Sequence, residues 1–325
     1  MDFVRDIKIG HFKSLENVEI TGCRQFNLFV GRPNVGKSNI LEALSLFSIP
    51  YIGMSRVPLT ELVRGVEMPS LFCNGDVSRP VEVLVDGSRY GLRIEYVGAD
   101  ALDLRLTEWE TTREYRITGS GIEQRPEEMP VFKCYRYDKL RLSRSVNLPF
   151  LFPLSGDNLM NVVQRSEVLK QELSTILKDY GLGLTFDTAT QELKFIKDLG
   201  HGTSFIVPFV AIADTLKRLI FYKAAVYSNS DSVLLFEEPE AHSYPPYIVN
   251  VVNSVMASKD NQFFITTHSP YVVSEFLEQR ADVAVFVVDY RDGRTVVRAL
   301  TEEELQRVYD DGIDMFFNTE LFMEG

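Results

Sequence analysis

Residues 31–38, GRPNVGKS, place two glycines five positions apart and follow the second with a lysine and a serine. Glycines let a loop curl until several backbone N–H groups face one point, which suits an anion. A helix starting at Lys37 would aim its N-terminus at the same anion. Lys37 offers a cation to the β- and γ-phosphates of a nucleotide, and Ser38 offers a hydroxyl to Mg²⁺. Arg32, Pro33, Asn34, Val35 and Gly36 then supply the loop wall. A second stretch, VLLFEEPEAH (233–242), ends an apolar run in adjacent carboxylates. Glu237 is placed to hold Mg²⁺ through water and Glu238 to accept a proton from an attacking water. A solvated turn is the duller reading of that pair. A third stretch, FFITTHSP (263–270), delivers His268 to a strand end, where a neutral imidazole can meet a γ-phosphate.

Elements that position these groups are legible nearby. FNLFV (26–30) reads as a buried strand running into the glycine loop, and KSNILEALSLF carries Ile40, Leu41, Leu44 and Phe47 at helical spacing. Before them, alternation through Val4, Ile7, Ile9 and Phe12 and then Val18 and Ile20 predicts two strands. Between about 80 and 137 the pattern becomes antiparallel, with a hairpin turn at Asp86-Gly87. A helix is expected over about 157–179 with Asp157 as N-cap, and another over 210–228. An apolar strand in SVLLFEEPE, a strand running into a loop in QFFITTHSP, and a hairpin turning at Asp292-Gly293 complete an α/β pattern.

Composition excludes little. The 325 residues are 45% hydrophobic and 25% charged, as in a globular protein with a sizeable core. No apolar stretch reaches the ~18–20 residues of a membrane span, and the N-terminus has no signal-peptide pattern. Cys23, Cys73 and Cys134 lie far apart, which argues against a disulfide framework or zinc site and for a reducing cytoplasm. A net charge of −12 argues against indiscriminate nucleic-acid binding but leaves a local basic groove open.

Taken together, IKIGHFKSLENVEI…FNLFVGRPNVGKSNILEAL, LLFEEPEAH and TTHSP resemble ABC-type ATPases of the RecF/SMC/OLD branch. Asn39 after the serine belongs to that likeness and to the nucleotide-contacting set it implies, as do Glu238, Pro239, Glu240 and His242 of the second stretch. The resemblance implies an α/β P-loop NTPase of ABC-ATPase-head type: a mixed-sheet core, an inserted antiparallel β subdomain and a helical subdomain. Residues 1–50 and 205–300 would form the nucleotide-binding core, 80–137 the inserted subdomain, 150–204 a helical and β lobe, and 301–325 a tail, all within one head. It implies ATP and Mg²⁺ as cofactors, hydrolysis in an ATP-sandwiched homodimer, and a signature motif supplied by the partner subunit. At the corresponding place stand Ala213, Asp214, Thr215, Lys217 and Arg218 rather than a Ser-Gly turn. Asp214, Thr215, Lys217 and Arg218 are the trans-contact candidates, with Thr215 a stand-in for the serine; the alternative is a core helix with two exposed basic residues. For the family's glutamine loop, Gln124 and Gln164 are unassigned candidates.

No heptad run marks a coiled coil, and the 57 residues after His268 are too few for a Toprim nuclease. The expectation is therefore an ATPase that regulates a separately encoded effector or a DNA-linked process such as anti-phage defence; the alternative is a nucleotide-gated scaffold with little hydrolysis. KCYRYDKLRLSR, with Lys133, Arg136, Lys139, Arg141 and Arg144 among Tyr135 and Tyr137, reads as a nucleic-acid contact or as a solvated strand edge. The acidic tail with Phe316, Phe317, Leu321 and Phe322 reads as a partner-docking segment or a packed C-terminal helix.

Overall fold

The structure is a computed structural model that describes residues 2–55, 58–65, 67–98, 101–119, 121–122, 129–137, 147–154, 156–187, 189, 192–279 and 281–323. The chain forms two compact units. One comprises Met1–Cys134, Asp231–Glu238 and Asp260–Gly325; the other comprises Tyr135–Ser230 and Pro239–Lys259.

Along the chain, the first unit opens with strands β1 (Ile7–Phe12), β2 (Leu15–Ile20) and β3 (Phe26–Val30), then helices α1 (Lys37–Ser45) and α2 (Ile49–Ser55). Strands β4 (Val81–Val85), β5 (Tyr90–Gly98), β6 (Ala101–Glu108), β7 (Thr111–Thr118), β8 (Gly121–Ile122) and β9 (Phe132–Tyr135) follow. The second unit holds α3 (Leu159–Arg165), α4 (Glu167–Lys178), β10 (Gly183–Asp187), β11 (Glu192–Asp198), β12 (Ser204–Pro208) and α5 (Asp214–Ser228). The chain then alternates: β13 (Val233–Glu237), α6 (Pro245–Ala257, in the second unit), β14 (Gln262–Thr266), α7 (Pro270–Glu278), β15 (Val283–Arg291), β16 (Arg294–Ala299) and α8 (Glu302–Asp311).

A six-stranded sheet runs in the order β16-β15-β3-β14-β13-β9 and carries the three candidate motifs. Its central strands β15, β3, β14 and β13 run parallel. FNLFV, VLLFE and QFFIT are buried at every position, as expected of parallel strands covered on both faces. Between strands, Phe29 stacks on Phe264 and Phe286, and Phe276 of α7 lies 5.3 Å from Phe26. A second, seven-stranded sheet runs β2-β1-β4-β5-β6-β7-β8. Strands β4–β8 thus continue the sheet that the β1–β2 hairpin opens. The exposed side of β6 and β7 is laced by Arg105–Glu114 and Arg116–Asp103 pairs, which keep that face in water.

The two Asx-Gly turns form as read. Asp292 and Gly293 both have positive φ (52° and 80°), joining Arg291 to Arg294 in a two-residue hairpin whose twist matches its strands. The helix expected over 157–179 is two helices. Ser166 is extended (φ −95°, ψ 105°) and its Oγ accepts from Leu169 N–H, so a serine capable of capping ends α3 and starts α4.

Three further expectations change. Lys133 is buried in β9 and donates to Ser232 Oγ at 3.1 Å; burial pushes its pKa down to about 8. Tyr135 and Tyr137 are buried too, so β9, although it is the sheet's edge strand, is neither a solvated edge nor an exposed contact; Lys139, Arg141 and Arg144 lie outside the described residues. Arg218 is also buried, not exposed. In the tail, Phe322 is buried whereas Phe317 and Leu321 are exposed. All three cysteines are buried, with burial pushing the Cys23 thiol up to about 12. Among the described residues no helix is long and apolar enough to cross a membrane.

Candidate functional site

Parallel pairing brings the carboxyl ends of β3, β14 and β13 side by side, and the three motifs sit on those ends. Ligands of open α/β sheets gather there because the loops diverge and leave a crevice.

The loop after β3 curls at two glycines that no other residue can replace. Gly31 has φ 148°, and a Cβ there would lie 2.2 Å from Val288 O. Gly36 caps α1 with φ 105°, and its Cβ would lie 2.1 Å from Thr295 Oγ1. Arg32, Pro33 and Asn34 are exposed on the rim, Asn34 with φ 62°, and Val35 is buried beneath. Lys37 is 4% exposed, and its Nζ donates to Gly31 O at 2.9 Å and Arg32 O at 2.7 Å, so the ammonium is held across the loop. Ser38 is half-buried in the first turn of α1. Arg32 also pairs with Glu320 at 2.7 Å. Asn39 donates to Ser14 Oγ at 2.7 Å, a contact behind the loop.

Glu237 closes β13 opposite Thr266 and is buried. The next residue, Glu238, takes φ 42°, a costly region for a side chain of its size, and its N–H donates to Thr266 O at 3.0 Å. That bend separates the two carboxylates: Glu237 stays in the sheet, while Glu238 emerges with its side chain 38% exposed. Its Oε1 lies 3.4 Å from His268 Nε2. A carboxylate so placed can take a proton from a water that the imidazole orients.

His268 has its pKa lowered by burial first and by the Lys37 charge second, with Glu238 opposing. It is therefore neutral at pH 7. The unfolded chain binds that proton near its ordinary value of 6.5, and the folded chain only below it. Stability is then fully present above pH 6.5 and falls as pH drops from 6.5 towards the folded value. Thermal melting across this window should show a shallower acid-side decline in His268→Asn than in the wild type; identical slopes would remove His268 from the account.

Sequence reasoning missed the groups that come from far along the chain. Arg64 places a guanidinium nitrogen 2.7 Å from Glu237 Oε1. It is anchored by its own N–H to Glu42 Oε1 at 3.1 Å and by Lys13 Nζ, which donates to Arg64 O at 2.5 Å and pairs with Glu42. Glu42 is 3% exposed, and its place in the helix after the lysine–serine pair was the one available signal: a carboxylate at a core position needs cations. Thr295 and Ser14 stand behind Gly36 in the same unit.

The four trans-contact candidates lie in the second unit. Asp214 Oδ1 accepts from Tyr137 O–H at 2.8 Å, and the Arg218 guanidinium lies 4.5 Å over the Tyr137 ring and 3.5 Å from Asp214. Thr215 and Lys217 are half-buried on the first turn of α5. Gln164 is exposed on α3, and Gln124 lies outside the described residues.

Residues 141–274 match the family described as "AAA domain, putative AbiEii toxin, Type IV TA system". Over 377 residues the chain is 21% identical to an ATP/GTP phosphatase of Helicobacter pylori, covering 96% of this chain and 100% of that one. A 49-residue stretch is 37% identical to the DNA replication and repair protein RecF of Coxiella burnetii, covering 15% of this chain and 14% of RecF. The fold is similar to an Smc head domain with an extended coiled coil bound to the C-terminal domain of ScpA, derived from Pyrococcus furiosus. The TM-score is 0.54 at 13% identity, covering 96% of this chain and 99% of that one. By these likenesses and its strand-end motifs the chain is similar to ABC-type ATPases of the RecF/SMC branch.

Proposed function

We propose that the chain binds ATP with Mg²⁺ at the Gly31–Ser38 loop and hydrolyses it to ADP and phosphate. The observation that carries this reading is the convergence of Lys37, Glu238 and His268 on adjacent parallel strand ends, with His268 Nε2 3.4 Å from Glu238 Oε1. Loop N–H groups and Lys37 hold the triphosphate; Glu238 takes the proton from water; neutral His268 keeps that water in line and senses the γ-phosphate. Ser38 and Glu237 would hold Mg²⁺, which offsets negative charge on the phosphate oxygens. The fit is chemical: a hydroxyl and a carboxylate suit a small hard cation, and the buried Glu237 already faces a cation in Arg64.

Arg64 and Mg²⁺ therefore ask for the same carboxylate. A half-exposed pair of this kind is worth up to about 1 kcal/mol. Arg64→Ala should lower the Mn²⁺ concentration at half-saturation of the nucleotide-free protein by about fivefold, read by electron paramagnetic resonance with Mn²⁺ replacing Mg²⁺. An unaltered midpoint would mean that Arg64 does not compete.

The working form is an ATP-sandwiched homodimer. Asp214 and Arg218 are engaged with Tyr137, which favours Thr215 and Lys217 for the trans contact. The setting we infer is cytoplasmic control of a separately encoded effector, or of a DNA-linked process such as anti-phage defence. It is supported by the toxin-system family description, the RecF likeness and the Smc head's bound partner. DNA or RNA stays a candidate partner. Light scattering with and without ATP, followed by affinity capture, tests it: a monomer under saturating ATP sinks the sandwich. A second reading, a nucleotide-gated scaffold with little turnover, is favoured by the internal engagement of Asp214 and Arg218. Brisk basal hydrolysis would count against it.

A further inference from the structure

Behind the phosphate loop lies a directed chain of hydrogen bonds that neither nucleotide binding nor catalysis accounts for. Thr295 is 3% exposed, and its Oγ1–H donates to Val35 O at 2.9 Å. Ser14 Oγ stands 2.7 Å from Thr295 Oγ1, and Asn39 Nδ2 donates to Ser14 Oγ at 2.7 Å. Because the Thr295 hydroxyl hydrogen is committed to Val35 O, Ser14 must be the donor between the two hydroxyls. The polarity is thus set along the whole run: Asn39 amide to Ser14, Ser14 to Thr295, Thr295 to the Val35 carbonyl. Each link polarises the next. Both hydroxyls stand at hairpin tips, and those tips are pinned together by Thr295 N–H donating to Ser14 O at 2.9 Å.

The consequence falls on Gly36. Its N–H belongs to the same trans peptide as the Val35 carbonyl, and in such a peptide the two point in opposite directions. Fixing Val35 O from the hairpin side therefore aims Gly36 N–H away from the hairpin, into the loop. We propose that Thr295, backed by Ser14 and Asn39, is a positioning residue that holds the Gly36 N–H in line for a nucleotide phosphate. Asn39 then acts from behind the loop, not on the nucleotide. This rests on the loop being the nucleotide site.

Thr295→Val keeps the branched shape and removes the hydroxyl; Thr295→Ser keeps the hydroxyl. One neutral hydrogen bond lost at a preorganised donor should weaken binding of a fluorescent ATP analogue by about tenfold in Thr295→Val. Thr295→Ser should stay within about threefold, and kcat at saturating ATP should stay within about threefold in both. In ¹⁵N-glycine spectra, the Gly36 amide should shift on adding ATP in the wild type and in Thr295→Ser, and by less than half as much in Thr295→Val. Wild-type affinity with an unaltered Gly36 shift in Thr295→Val overturns the proposal. Should that variant not fold, Ser14→Ala strips the donor to Thr295 and leaves Thr295 itself in place. It should weaken binding by about threefold, and unchanged affinity again overturns the proposal. Lys37→Ala in the same assay separates the two layers. If it abolishes binding while Thr295→Val binds as wild type, only the positioning role fails. If the wild type does not bind, or Lys37→Ala binds equally well, the loop is not the site and both fail.

Discussion

Glu238→Gln should stop turnover and leave ATP bound. Glutamine has the length and shape of glutamate, and φ 42° at position 238 strains both alike. What it lacks is a basic oxygen, so the attacking water keeps its proton; losing a positioned base costs about 10²–10⁴-fold in kcat. Binding should survive or tighten, because a negative charge near the γ-phosphate is gone while the loop and Lys37 are untouched. The trapped state should collect as a dimer under ATP. Single-turnover measurement of ADP, with light scattering on the same sample, reads both effects. Turnover within tenfold of wild type would leave Glu238 without the role of base.

Lys37→Ala should abolish binding. The ammonium is nearly enclosed and already bonded to two loop carbonyls, so it loses little freedom when it turns to a phosphate. Charge-assisted hydrogen bonds of this kind contribute about 1.5–3 kcal/mol each, and one or two of them correspond to a loss of about 10- to 1000-fold or more. Lys37→Arg should not restore affinity, since a planar fork does not fit a slot shaped for a point charge. The empty protein should melt close to wild type, as the Gly31 and Arg32 carbonyls that lose a donor lie in a loop rather than in a strand or helix. Affinity for a fluorescent ATP analogue within threefold of wild type would place the nucleotide elsewhere.

The three candidate motifs were readable because each is local in sequence. Each is a buried strand followed by a few residues whose types carry the chemistry; the bends themselves are finished by distant strands, through Glu238 N–H on Thr266 O and Thr295 Oγ1 on Val35 O. Register was readable where a turn fixes it. Asp292-Gly293 sets Thr295 opposite Tyr290, yet nothing in the hairpin's sequence says that its tip lies behind residue 36. Arg64 was illegible for the same reason: its partner Glu237 is reached only through the fold. Lys133 was misread because basic residues among tyrosines look exposed until β9 joins the edge of the parallel sheet and buries them. The single helix expected over 157–179 failed at Ser166, whose hydroxyl suits a cap better than a helix interior.

The placement of β3 has a consequence in time. It lies between β14 and β15, both made long after it. At a synthesis rate of about 10 residues per second, roughly 20 s pass between the emergence of Phe26–Val30 and that of Gln262–Thr266. Throughout that interval a strand built to be buried at every position has neither flanking neighbour, so a stalled or truncated chain carries the phosphate loop with no sheet to shape it. The loop therefore gains its flanking strands only after Gln262–Thr266 has emerged, and Phe26–Val30 needs chaperone cover until then.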